Sequence, residues 1–343
     1  MADYRIQPFF FPTTIVFVDD SADFLTNLSL QVDSRLACRL FDSPVEALAA
    51  INGNDAAPPR TQDLFSLYRD RAEDALGSQV LNVDLDTIHR EVCNEKRFER
   101  VSVAVVDFDM PEIDGIEFCR RIHNPMIKKI LLTGKADERI AVKAFNDGVI
   151  DRFILKQEAN VMSTLNRAID EMQHAYFDEI GRMLSDAVSI GAYGFLRDPL
   201  FAERFGQIRA ALGIVEYYLC CKPDGILMLD FAGTPYLLIV QTEEMVQANY
   251  EIASDQAAPA ELLASLRSGK MVPYFWKSEG HYSPIYEDWH AYLHPATEFR
   301  GKTVYLLATV KNPAAFNFKY VLSYAAYLDR LDIDGREKAS RNT

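Results

Sequence analysis

Nowhere in the 343 residues do ~20 apolar side chains run together, so no helical membrane span is expected. The opening MADYRIQPFFFPTTIVFVDD has no basic stretch before its apolar run and soon meets acids, so no signal peptide is expected and a cytoplasmic location follows. Cysteine is scarce: Cys38, Cys93, Cys119, Cys220 and Cys221 show no C-x-x-C spacing, which argues against both a disulfide framework and a zinc site and leaves them as packing residues. There is no HExxH and no Gly-rich phosphate loop. A cationic surplus is missing as well: the net charge is −14, with 21 basic and 32 acidic residues in 1–186 and 15 and 18 in 187–343. DNA binding is therefore not supported by charge.

Apolar residues at 49 % and charged residues at 25 % indicate a folded globular chain, and its length indicates two domains. Thr14 to Val18 is a short apolar run that stops at Asp19 and Asp20. Val101 to Val106 is a second, stopping at Asp107. Lys129 to Leu132 leads into Thr133, and Phe153 to Leu155 into Lys156. Helical patterns separate these runs, including one opened by Ser43 as N-cap and Pro44. Alternating strands and helices predict a doubly wound parallel sheet, whose ligands bind at the carboxyl ends of the strands. Asp19, Asp20, Asp107, Thr133 and Lys156 all stand at such ends. Any one of them alone reads as a solvated turn residue; all five together read as a site.

The stretch Asp107-Phe-Asp-Met-Pro-Glu-Ile-Asp-Gly115, with Asp19-Asp20, Thr133 and Lys156, resembles the phosphorylation site of response-regulator receiver domains. The resemblance implies a (βα)5 fold and transfer of a phosphoryl group from a sensor histidine kinase or phosphotransfer protein to Asp107. It further implies Mg²⁺ held by Asp20, Asp107 and the Asp109 backbone carbonyl, with Asp19 acting through water. Thr133 and Lys156 would contact the phosphoryl oxygens, and Thr133 with Phe153 would form the switch, although Phe153 reads equally as a core residue. Mg²⁺ favours such a small set of oxygen ligands, and a cation stabilises charge developing during attack by a carboxylate.

Three departures from that family stand out. Gln157 follows Lys156 where proline is common. Asp109 and Lys135 flank the mouth of the site, where they are expected to tune the lifetime of the phosphorylated state. Asp20 and Asp107 stand 87 residues apart, which accommodates an insertion over about 54–100. Leu64, Leu67, Tyr68 and Leu76 predict one amphipathic helix there; Leu85, Ile88 and Val92 predict another, with Asp84 as its cap. The pair would cover the sheet edge, present a partner surface or be passive decoration. The insertion, Asp-Phe-Asp-Met-Pro and the stretch from Thr133 through Phe153 are similar to the receivers of quorum-sensing regulators of the Legionella Lqs type.

The expected division is a receiver at 1–157, a connecting helix at 158–187 and a non-standard α+β output domain with an antiparallel sheet at 188–343. The stripe Val161, Leu165, Ala168, Met172, Ala175, Tyr176, Ile180, Met183 and Ala187 predicts a long helix that pairs in a homodimer or packs on the output domain. His174 on it is structural. Strands are expected at Glu216–Cys221, Ile226–Phe231, Tyr236–Gln241 and Thr303–Val310, with helices at Arg204–Leu212, Glu243–Ala253, Pro259–Ser268 and Tyr320–Leu331. His281, His290 and His294 form at most a weak metal pattern, and Tyr274, Phe275, Trp276, Tyr282, Tyr286 and Trp289 form either a core cluster or a ligand-lining surface. The output is then a protein-interaction module, a nucleotide- or nucleic-acid-binding effector, or an enzyme of unrecognised type. Apart from the receiver's own phosphoryl transfer, no enzymatic activity is expected.

Overall fold

Every residue of Thr14–Val18 is buried, as a strand covered on both faces requires. The structure, a computed structural model, describes residues 5–53, 65–68, 80–83, 88, 90–134, 138–188, 193–221, 223–278 and 280–341. In chain order its strands are β1 (Phe9–Phe10), β2 (Thr14–Val18), β3 (Ala37–Phe41), β4 (Phe65–Tyr68), β5 (Val80–Val83), β6 (Val101–Asp107), β7 (Lys128–Thr133) and β8 (Arg152–Leu155). They continue as β9 (Ile214–Cys221), β10 (Asp224–Asp230), β11 (Pro235–Thr242), β12 (Met271–Pro273), β13 (Leu293–Pro295), β14 (Thr297–Arg300) and β15 (Val304–Lys311). The α-helices are α1 (Ala22–Ser29), α2 (Pro44–Asn52), α3 (Gly115–Arg121), α4 (Glu138–Asn146), α5 (Val161–Val188), α6 (Pro199–Leu212), α7 (Glu243–Asp255), α8 (Ala260–Arg267) and α9 (Tyr324–Arg341).

Contacts divide the chain into two compact units, and the division is not the sequential one expected. The first comprises Phe11–Pro58, Lys96–Ile180 and Tyr327–Thr343; the second comprises Met1–Phe10, Pro59–Glu95 and Gly181–Ala326. Backbone pairing explains the first ten residues, because Phe9 and Phe10 pair antiparallel with Tyr218 and Tyr217 of β9. At the other end, the Tyr327 hydroxyl lies 2.8 Å from Thr14 Oγ1 and its ring lies against Phe98, so the receiver unit includes a C-terminal piece. No periodicity in the sequence reports such long-range pairings.

In the receiver unit the sheet order is β3-β2-β6-β7-β8, all parallel. Successive side chains of a strand face opposite sides, and the core divides accordingly. Val16, Val18, Ala104, Val106 and Leu131 pack with residues of α2, α3 and α4. Ile15, Phe17, Val103, Val105, Ile130 and Leu132 pack with Leu25 and Leu28 of α1 and Leu165, Ala168 and Ile169 of α5. The helices start where their caps dictate: Ser21 accepts from Phe24 N, Ser43 from Glu46 N with Pro44 next to it, and Asp114 from Glu117 N.

The 28-residue α5 is the long helix expected, but much of its apolar stripe has another use. Leu165 and Ala168 pack into the receiver core, and Tyr176 and Phe177 are buried as well, Phe177 edge-on to Phe11, so they are not available as a dimer seam. The side chains of Ile180, Met183 and Ala187 lie outside the described residues. Within the insertion, Leu67 and Tyr68 belong to a strand, not to the helix expected, because β4 pairs antiparallel with β5. The alternating Phe65-Ser-Leu-Tyr68 suits a strand once a partner exists, and strand preference depends on that partner. Leu64, Leu76, Asp84 and Leu85 lie outside the described residues, whereas Ile88 and Val92 are buried, Ile88 in helical backbone and Val92 in a short 3-10 turn.

The second unit is built on a six-stranded antiparallel sheet, β1-β9-β10-β11-β15-β14, with β12 and β13 paired separately. The expected meander is β9–β10–β11. Of the aromatic cluster, Phe275, Tyr282, Tyr286 and Trp289 form a core with Leu262 and Leu266, which favours the packing reading. Asp198 caps α6 from a fully buried position and also accepts hydrogen bonds from Lys302 N and the Tyr305 hydroxyl. All five cysteines are free; Cys119 and Cys220 are buried, but Cys93 is exposed and is not the packing residue expected.

Candidate functional site

Parallel pairing of β2 with β6 places Val18 opposite Val106, so the acids that follow β2 and Asp107, which ends β6, become neighbours across 87 residues of sequence. This is the point where strand order reverses, with β2 flanked by β3 and β6, and where such sheets place their ligands. Carboxylate oxygens of Asp19, Asp20 and Asp107 lie within 4.8 Å of one another. Asp19 and Asp107 are buried, at 2 % and 6 % exposure, whereas Asp20 is open to solvent.

Lys156, which follows β8, reaches back over this cluster. Its Nζ lies 2.8 Å from Asp19 Oδ2 and 2.8 Å from Asp107 Oδ1. Asp107 Oδ1 also accepts from Phe108 N at 2.8 Å, and Asp19 Oδ1 from Ser21 N at 3.0 Å. Burial pushes the Asp107 carboxyl above its ordinary range, against the hydrogen bond and charge of Lys156. Burial also works against the Lys156 ammonium, but its hydrogen bonds to Asp107 and Asp19 prevail and its pKa rises. These two rises favour opposite protonation states of the pair. One ammonium donating to two carboxylates at 2.8 Å favours the fully charged arrangement.

Thr133 is fully buried at the end of β7, its hydroxyl donating to the Gly134 carbonyl at 3.2 Å, and its own carbonyl accepts from Lys156 N. Phe153 is half-buried on β8, packs against the core beneath α4 and meets Phe145 edge-on at 6.5 Å. Asp109 is exposed two residues beyond Asp107; Lys135 lies outside the described residues. The three histidines do not converge on a metal site with other ligands: among the described residues, only the three aspartates do so. His281 Nδ1 instead meets Asn249 Oδ1, His294 lies against Tyr274, and His290 is exposed.

Sequence reasoning missed Gly115. A Cβ there would lie 2.2 Å from the Asp107 carbonyl oxygen and 2.8 Å from Leu131 Cδ1, while Gly115 N donates to the Phe108 carbonyl at 2.9 Å. The first turn of α3 is thus pressed onto the backbone of Asp107, which only a residue without a side chain permits. The signal in the sequence was the glycine directly after the N-cap Asp114.

A family model for the response regulator receiver domain matches residues 66–168. Its match begins beyond Asp19 and Asp20, which the fold nonetheless brings to Asp107. The structure of the response regulator LqsR from Legionella pneumophila is similar over 97 % of this chain and 98 % of its own, at 38 % identity and a TM-score of 0.78. The chain belongs to the LqsR family of response regulators. An adenylate cyclase from Rhodopirellula baltica (23 % identity, TM-score 0.34, 51 % of this chain and 96 % of that one) also matches. So does a receiver domain protein from Clostridium thermocellum (19 %, 0.32, 47 % and 94 %). A search of curated proteins finds no match. Receiver domains generally bind Mg²⁺ at an acidic pocket, and the donors here would fit it: hard carboxylate oxygens, close together and partly open to solvent. Among the described residues no helix is long and apolar enough to cross a membrane.

Proposed function

We propose that Asp107 accepts a phosphoryl group from a sensor histidine kinase or phosphotransfer protein and that the second unit reads the result. The observation that carries this is the single Lys156 ammonium donating to both Asp19 and Asp107, with Asp20 alongside. In the transfer a carboxylate oxygen of Asp107 forms a bond to phosphorus, the phosphorus–nitrogen bond of the phosphohistidine breaks, and the departing imidazole takes a proton. Lys156 neutralises charge on the transferred oxygens as it develops, and the Phe108 N–H holds the acceptor's other contact. Asp20, Asp107 and the Asp109 carbonyl would hold Mg²⁺, with Asp19 acting through water, and the bound ion would supply further positive charge that favours the ionised acceptor.

Phosphorylation then shifts Thr133 toward the phosphoryl group and repacks Phe153, biasing a two-state element toward its second form. The output acts through altered protein contacts of a homodimer in the cytosol, in quorum-sensing signalling, without catalysing a further reaction. Acetyl phosphate with Mg²⁺ should label the wild type and not Asp107→Asn. Labelling that survives the substitution overturns the assignment. Light scattering before and after labelling reports the dimer; a monomer in both states removes that part of the proposal.

A further inference from the structure

An ammonium has three N–H directions, and at Lys156 two are taken by Asp19 and Asp107. The charge also lies over the ring of Phe24, with Nζ 4.5 Å from its centroid. Phe24 belongs to the first turn of α1. Its N–H donates to the Ser21 cap, and Ser21 N in turn donates to Asp19 Oδ1, so one short segment sets both a carboxylate that the lysine binds and the ring that it lies over.

The lysine's own chain fixes it less tightly. Lys156 N donates to the Thr133 carbonyl and the turn closes with Glu158 N on the Leu155 carbonyl, but Gln157 follows, so no proline ring fixes φ after the lysine. Four flexible side-chain bonds separate that turn from the charge. Their direction is set at the far end, by two carboxylates and a ring.

We propose that Phe24 is a positioning residue for phosphoryl transfer: its ring face holds the charged Lys156 over the acceptor and excludes water from the remaining side of the ammonium. The inference rests on the reading of Asp107 as acceptor. An aromatic face attracts a cation within ~6 Å, more strongly where water is excluded, and a group aimed in advance needs no reorganisation as charge develops. Phe24 also packs against the core between sheet, α1 and α5, so its packing and its attraction for the lysine must be separated. Leucine separates them, since it fills much of the same space without a π face.

The test is the initial rate of labelling by acetyl phosphate with Mg²⁺ in the full chain, for wild type, Phe24→Tyr, Phe24→Leu, Lys156→Met and the double variant Phe24→Leu/Lys156→Met. Phe24→Tyr should retain most of the rate, and Phe24→Leu should lose roughly three- to tenfold. In the Lys156→Met background, Phe24→Leu should cost less than about twofold, because the ring acts through the lysine. Equal losses in both backgrounds, or a wild-type rate for Phe24→Leu, overturn the proposal. Thermal unfolding checks the fold, and Phe24→Met replaces the leucine variant if that one does not fold. Labelling of Asp107→Asn would instead remove the underlying reading, an outcome distinguishable from either.

Discussion

Replacing Gly115 with alanine adds one methyl group at the tightest point beside the acceptor. The new Cβ would start 2.2 Å from the Asp107 carbonyl oxygen and must reach at least 3.0 Å. Leu131, on its other side at 2.8 Å, is fully buried. The strain therefore falls on α3 and on the end of β6. Overpacking of this kind costs about 1–3 kcal/mol of stability. Its effect on function should be larger, because Asp107 holds its place through contacts of 2.8 Å to Phe108 N and Lys156, and a ~1 Å misplacement of a reacting group costs about a hundredfold in rate. Gly148→Ala is the control: Gly148 has φ +70° with open space around it, so alanine there costs about 1 kcal/mol of backbone strain and touches nothing near the acceptor. Initial labelling rates and thermal midpoints should be measured for both. Comparable midpoints with labelling slowed about a hundredfold only in Gly115→Ala support the reasoning. If the two variants label equally fast, the contact with Asp107 does not hold the acceptor.

Three further outcomes are expected. Tyr327→Phe removes the buried hydroxyl beside Thr14, whose Oγ1 keeps its bond to the Phe98 carbonyl, and should cost about 1 kcal/mol in urea unfolding; an unchanged midpoint would show that the pair contributes nothing. Burial lowers the pKa of His294 below the ordinary histidine value of about 6.5, so its contribution to stability is present above that pH and is lost as the pH falls through it toward the lower folded value. The thermal midpoint should thus drop between about pH 7.5 and about pH 5.5, and drop less in His294→Phe; parallel curves would refute this. Asp109→Asn leaves a weaker base at the mouth of the site and should lengthen the half-life of the phosphorylated state at least about twofold, as read by loss of label; no change would remove Asp109 from the tuning role.

The legible part of the site was its set of strand ends. Buried parallel strands are continuous apolar runs, and the acids, threonine and lysine that end them are visible without a structure. The cap Ser43 and the long helix α5 were legible for the same local reason. The insertion was not, because Leu67 and Tyr68 become strand residues only through pairing with β5. Nor was the use of α5: Leu165 and Ala168 read as a free stripe until the sheet that buries them is in place.

The amino-acid sequence by itself determined the alternation of strands and helices, the polar residues at the strand ends and the family resemblance, all of which follow from short-range patterns of burial and capping. Tertiary structure alone decided which of those residues meet, because contact between Asp19, Asp107 and Lys156 depends on strand order and register. It also decided that Gly115 must lack a side chain, that Phe24 lies under the lysine's charge, and that β1 and Tyr327 belong to units distant from them in sequence. Pairing and close packing act through space, and a linear pattern carries no record of the distance across which they act.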